Sequence, residues 1–100
     1  MIIKVQGVGA RGEEWCLIDK VDEVLQSRKV ELTSAALKQE VDQATHAFLT
    51  NPPVEGKEST HQVGIIRAKR ADGSERHVVF DTVAYICNDQ GNTIERVRSR

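Results

Sequence analysis

The side chains whose type and placement single them out for acid–base or nucleophilic work are few: His46, His61, His77, Asp81 and the two cysteines, Cys16 and Cys87. A helical zinc site needs two histidines one turn apart, and no pair here has that spacing, so the sequence assigns no metal. His77 and Asp81 point to the same side of an expected strand. Four residues of extended chain separate them by roughly 13 Å, too far for direct contact. A catalytic relay would need a third group brought in by folding, and Cys87, which shares their parity, or Cys16 could supply it. Two isolated cysteines match neither a metal knuckle nor a disulfide framework. They are expected to be small buried thiols in a reducing compartment.

A second chemical signal is the run Gly7-Val8-Gly9-Ala10-Arg11-Gly12, which follows an expected strand and has Glu31 about 20 residues further on. It resembles the Rossmann dinucleotide fingerprint, whose glycines allow a tight turn and a close approach of backbone to pyrophosphate. The surrounding residues oppose that reading. Lys4 and Gln6 are polar within a strand that would have to be buried on both faces. Glu13 and Glu14 would place two carboxylates where a pyrophosphate needs positive potential. The chain continues as hairpins, not as further βα units, and 100 residues leave no room for the second half of such a fold. The glycines are expected in a hairpin loop, and no cofactor is assigned.

Basic residues gather at Arg67, Lys69, Arg70 and Arg76, and again at Arg96, Arg98 and Arg100. Such an edge could follow a nucleic-acid backbone. Asp72, Glu75 and Glu95 interrupt it, the net charge is −1, and Trp15, Phe48, Phe80 and Tyr85 are the only aromatic rings. Nucleic-acid binding is therefore a minor alternative. The N-terminus lacks a charged head with an apolar stretch behind it, and no apolar run reaches the ~20 residues of a membrane span. A cytoplasmic protein with no membrane association is expected.

The elements that must position these residues follow from periodicity. Ile2 to Val8 alternates, with Ile3 and Val5 on one side and Lys4 and Gln6 on the other, as in a sheet wetted on one face. Residues 13–29 are ambiguous. Leu17 falls off the helical stripe of Trp15, Ile18, Val21 and Leu25, which favours a strand over 14–19 paired with the first. Leu37, Val41, Ala44 and Phe48 recur at helical spacing and predict a helix from Ser34 to Leu49, capped by Thr33 or Ser34, with Leu32 packing against Leu37. Pro52 and Pro53 force it to end, and 51–60 reads as a loop. From His61 to Arg98, an Asp72-Gly73 turn and a second turn at Asn88 to Gly91 describe a three-stranded antiparallel meander. A two-residue turn at Asp72-Gly73 sets Ile65 opposite Phe80, Ile66 opposite Val79 and Val63 opposite Thr82.

The expected fold is one α+β domain over 1–100, an antiparallel sheet of about five strands packed on one main helix. Val63, Ile65, Val78, Phe80, Ala84 and Ile86 would meet the helix. The opposite face would carry an apolar patch of Ile66, Val79, Val83 and Tyr85 framed by Arg70, His77 and Asp81. A patch of that kind marks a partner or self-association surface. The function expected is a small interaction or ligand-binding module that dimerises, or docks a protein partner, through that face, with a small-molecule ligand also open. One alternative is a small enzyme with a pocket between sheet and helix that uses His77, Asp81 or a cysteine; the sequence leans against it, because no paired acid–base constellation is present. The second is a nucleic-acid accessory protein using the arginine edge.

Overall fold

Two four-stranded sheets and one helix make up the computed structural model, which describes residues 1–8 and 14–100, with residues 7, 8 and 14–17 described by their backbone. In chain order the elements are β1 (Ile2–Val8), β2 (Glu14–Lys20), β3 (Glu23–Thr33), α1 (Ser34–Gln43), β4 (His46–Phe48), β5 (Thr60–Lys69), β6 (Glu75–Phe80), β7 (Val83–Cys87) and β8 (Thr93–Arg98). The first sheet runs β2-β1-β7-β8 and is antiparallel throughout. The second runs β3-β5-β6-β4 and is antiparallel except for the pair β4 and β6, which is parallel. The α+β class stands, while the single five-stranded sheet is replaced by two sheets. No described helix is long and apolar enough to cross a membrane.

The first strand follows its alternation. Ile3 and Val5 are buried, Lys4 and Gln6 face out, and β1 pairs with β2 as the hairpin expected over 14–19. Residues 9–13, which hold most of the glycine motif and Glu13, lie outside the described residues. The motif leads into an antiparallel strand and not a helix, so the βαβ unit behind a Rossmann fingerprint is not formed. Thr33 caps α1 by accepting from the Ala36 amide at 3.2 Å, and Leu37, Val41 and Ala44 lie on its inner side with Leu32 beside them. The helix ends earlier than its stripe. Ala44 is extended, the Thr45 amide donates to the His77 carbonyl, and residues 46–48 continue as β4. Phe48 consequently packs into a different core from Leu37.

The meander is broken at Asp81-Thr82, where the chain leaves one sheet for the other. β5 and β6 form a hairpin in the second sheet, and β7 and β8 form one in the first. The register between β5 and β6 is also shifted by one residue: Ile65 faces Val79, Ile66 faces Val78, and Gly64 faces Phe80. The turn explains the shift. Arg70 donates to the Ser74 carbonyl at 2.8 Å, and the Gly73 amide donates to the Arg70 carbonyl at 2.9 Å with Gly73 at φ 87°. That is a three-residue loop closed by a left-handed glycine, one residue longer than the turn expected.

Because side chains alternate, a one-residue shift exchanges the faces of β6 relative to β5. Ile66, Ala68, Val78 and Phe80 therefore point between the sheets, where they meet Ile3, Val5, Ala84, Ile86 and Val97. Val63, Ile65 and Val79 point the other way, under Leu37 of α1. The second sheet is covered on both faces, which explains the unbroken buried run Val63 to Ile66. The first sheet is covered on its inner face only.

Candidate functional site

The outer face of the first sheet is a regular surface that no described element covers. Registration across four strands places Ile18, Lys4, Tyr85 and Arg96 in one transverse row. The next row holds Lys20, Ile2 and Thr93 with Cys87 between them, buried beside the irregularity of the β7/β8 ladder, and Arg98 follows Arg96 opposite Val83. Four cations thus share the face: Lys4, Lys20, Arg96 and Arg98. Among the outward positions whose side chains are described none is a carboxylate; Glu14, opposite Val8 at the far end of β2, has the same parity. Ile18 is 61% exposed and Ile94, at the irregularity in β8, is 61% exposed. The Arg96 guanidinium lies 5.5 Å from the centre of the Tyr85 ring, a cation–π contact across the β7/β8 ladder.

At one end of this face Asp81, Val83, Tyr85, Arg96, Arg98 and Arg100 line a hollow of about 360 Å³. Asp81 is held by work of its own. Its carboxylate accepts from the Thr50 amide at 2.8 Å and the Asn51 amide at 2.9 Å, which ties the segment after β4 to the corner between the sheets.

The structure divides the seven residues expected to share a face. Val83 and Tyr85 stand on the outer face of the first sheet, and Asp81 borders the same hollow. Ile66 is fully buried between the sheets and Val79 fully buried under α1. His77 faces the helix side, with its Nε2 3.2 Å from Glu40. Arg70 closes the β5/β6 hairpin near Lys20 and Asp22. The cause is the register shift together with the corner at Asp81-Thr82. The arginine clusters also separate: Arg67 pairs with Glu75 within the second sheet, Arg76 reaches across to Asp19 of the first, and Arg96 and Arg98 belong to the first.

Sequence reading missed Lys4, Lys20 and Ile18 as companions of Tyr85. The polar parity of β1 marked Lys4 as outward, yet nothing local reveals that β1 lies beside β7. It also missed a polar knot at the start of α1. The Ser34 hydroxyl is 3.0 Å from His61 Nε2, Ser59 Oγ is 3.1 Å from the same nitrogen, and the Ser34 amide donates to Glu58 at 3.1 Å. These bonds, with the Ser59 amide donating to Ser34 Oγ at 3.0 Å, fasten the segment after Pro53 to the helix start. An apolar-walled groove of about 610 Å³ runs alongside, between α1 and residues 49–58.

Cys87 is a free, buried thiol, and the side chain of Cys16 lies outside the described residues. Comparison of the chain with protein-family models, with curated proteins and with solved structures finds no match, so its function must be argued from its own geometry.

Proposed function

We propose that this protein is a cytoplasmic interaction module that docks an acidic, extended segment of a partner protein on the outer face of its first sheet. The observation that carries the reading is the charge of that face: four cations, and no carboxylate among the outward positions whose side chains are described, on a chain whose net charge is −1. The carboxylates that border the face are engaged, Asp81 by the Thr50 and Asn51 amides and Asp89 by the N-terminal ammonium, so the strand cations leave a local positive field that attracts an acidic ligand. Branched side chains stand between the cations, Ile18 beside Lys4 and Ile2 beside Lys20, which suits a segment of alternating acidic and apolar residues. A nucleic acid would want aromatic platforms. The single ring among the described outward side chains, Tyr85, already carries Arg96.

Size and charge also weigh against a second copy as the occupant. Four strands about 4.8 Å apart and roughly 20 Å long present on the order of 400 Å², half the roughly 800 Å² per partner of a standard interface. A two-fold dimer through this face would set like charges against like. The buried free thiol of Cys87 fits a reducing compartment.

Fluorescence anisotropy with a labelled peptide alternating glutamate and valine tests the proposal. Micromolar binding that weakens about tenfold in Arg96→Ala, and again in Lys4→Ala, is the expected result, each step corresponding to about 1.4 kcal/mol. Preference for a single-stranded oligonucleotide over the peptide, or a dimer in sedimentation that Tyr85→Asp dissociates, would replace it with one of the other two occupants.

A further inference from the structure

A second site lies on the other side of the molecule, where α1 is too short for the sheet beneath it. The helix has ten residues, about 15 Å, whereas the ten residues of β5 span about 33 Å. Leu37 and Val41 cover the upper rungs of the second sheet. The lower rungs are left as a recess of about 550 Å³, within the range of small-molecule sites.

The floor of the recess is set by register. Gln26 of β3, Arg67 of β5 and His77 of β6 lie side by side in one row, and Arg28 follows on the next rung of β3. Its wall is the last turn of α1, with Glu40 and Gln43, and then Thr45. The two sides have opposite polarity. Arg28, Arg67 and Arg76 make the floor cationic on balance, with Glu75 at its rim against Arg67 and Arg76 turned to Asp19. The wall offers the Glu40 carboxylate and the C-terminal carbonyls of α1, a helix end with no basic residue in its last turn to offset its negative pole.

The ion pairs already present leave capacity unused. Glu40 lies 3.7 Å from Arg28 and 3.2 Å from His77, and Arg67 is 2.9 Å from Glu75 on an exposed pair of the kind that contributes little and is readily exchanged. His77 Nε2 is buried and, although within ion-pair distance of Glu40, makes no hydrogen bond. That nitrogen has no exposed surface, so His77 shapes the recess beside Glu40 without offering Nε2 to a ligand.

We infer that this recess binds a small zwitterion of the α-amino acid class, its carboxylate on the half-exposed Arg67 guanidinium and its ammonium on Glu40 and the helix end. A simple anion would face Glu40 and the negative helix pole, and a simple cation would face two guanidinium groups. A molecule carrying both charges a few bonds apart meets neither penalty, and Gln26, Gln43 and Thr45 remain to contact its side chain. The site is separate from the docking face and does not depend on it.

The test is a titration of the intact protein with each of the common L-amino acids, and with acetate and methylamine as half-ligands, followed by amide chemical shifts in NMR. At least one amino acid should saturate near or below about 1 mM, shifting the amides of Gln26, Thr45 and His77, while each half-ligand binds at least about tenfold more weakly. Arg67→Gln and Glu40→Gln should each weaken that binding about tenfold with the rest of the spectrum intact, and Arg98→Ala should leave it unchanged. Absence of saturation by every amino acid, equal binding of acetate alone, or affinity indifferent to both recess substitutions would overturn the inference.

Discussion

The two sheets of this protein are built from similar strands but live in different solvents. The sheet β3-β5-β6-β4 is the middle layer, with Leu37 of α1 on one side and Ile3, Val5 and Ile86 on the other. The sheet β2-β1-β7-β8 is an outer layer, and its free face carries Lys4, Tyr85 and Arg96 in a row. A chain of this length folds into few layers, and only an inner one can be apolar on both faces. Surface available for recognition is therefore pushed to the outer sheet and to the part of the middle sheet that α1 fails to reach.

The largest expected effect would break the middle layer at its tightest point. Phe80 faces Gly64, and a Cβ placed on Gly64 would come within 2.2 Å of the Phe80 ring. Phe80→Ala should destabilise by about 3–5 kcal/mol in urea unfolding. Gly64→Ala should cost at least about 1–3 kcal/mol, because a ring buried on all sides has nowhere to move. If Gly64→Ala unfolds at the wild-type urea concentration, the register of β5 on β6 is wrong.

A smaller effect sharpens the contrast between the layers. Val79→Ala, on the helix side, should cost about 2 kcal/mol, as much as Val78→Ala on the opposite side of the same strand. Tyr85→Ala, on the outer sheet, should cost under about 1 kcal/mol, chiefly its contact with Arg96. A cheap Val79→Ala beside a costly Val78→Ala would restore a middle sheet with one wet face.

The smallest effect concerns the hairpin tip that sets the register. Asp72 accepts from the Ser74 hydroxyl at 2.6 Å and the Ser74 amide at 2.9 Å, and these hydrogen bonds hold its carboxyl below its usual range. A carboxyl lowered in the folded state stabilises above its unfolded pKa, and that contribution is lost as pH falls through the folded value. Asp72→Asn should therefore be slightly less stable than wild type at neutral pH, and the gap should close on acidification below the ordinary aspartate range. A gap that persists in acid would mean that the side-chain acceptor, not its charge, carries the turn.

Several pieces of this arrangement were legible in the residues. The parity of Ile3 and Val5 gave the buried side of β1, the off-stripe Leu17 gave β2 as a strand, and Thr33 gave the start of α1. Other pieces had no local signature. Phe48 continues the helical stripe of Leu37 and Val41, yet it leaves the helix because β6 offers β4 a parallel partner. Residues 23–33 show little apolar alternation, and they become a strand through pairing along the length of β5. Of the candidate docking face, Tyr85 and Val83 were visible, and Lys4, Lys20 and Ile18 were not.

What the sequence determined by itself is what depends on neighbours a few residues away: alternation in β1, the cap at Thr33 and the presence of a hairpin at Asp72-Gly73. What the tertiary structure alone decided is which faces are dry. One added residue in the Gly73 loop moved Phe80 and Val79 to opposite sides from those expected, and the corner at Asp81-Thr82 sent Tyr85 to a different sheet from Ile66. The physical reason is that a strand's side chains alternate with period two. Local chemistry fixes that alternation, whereas register and layer order, set by contacts between distant segments, fix which half of it meets water.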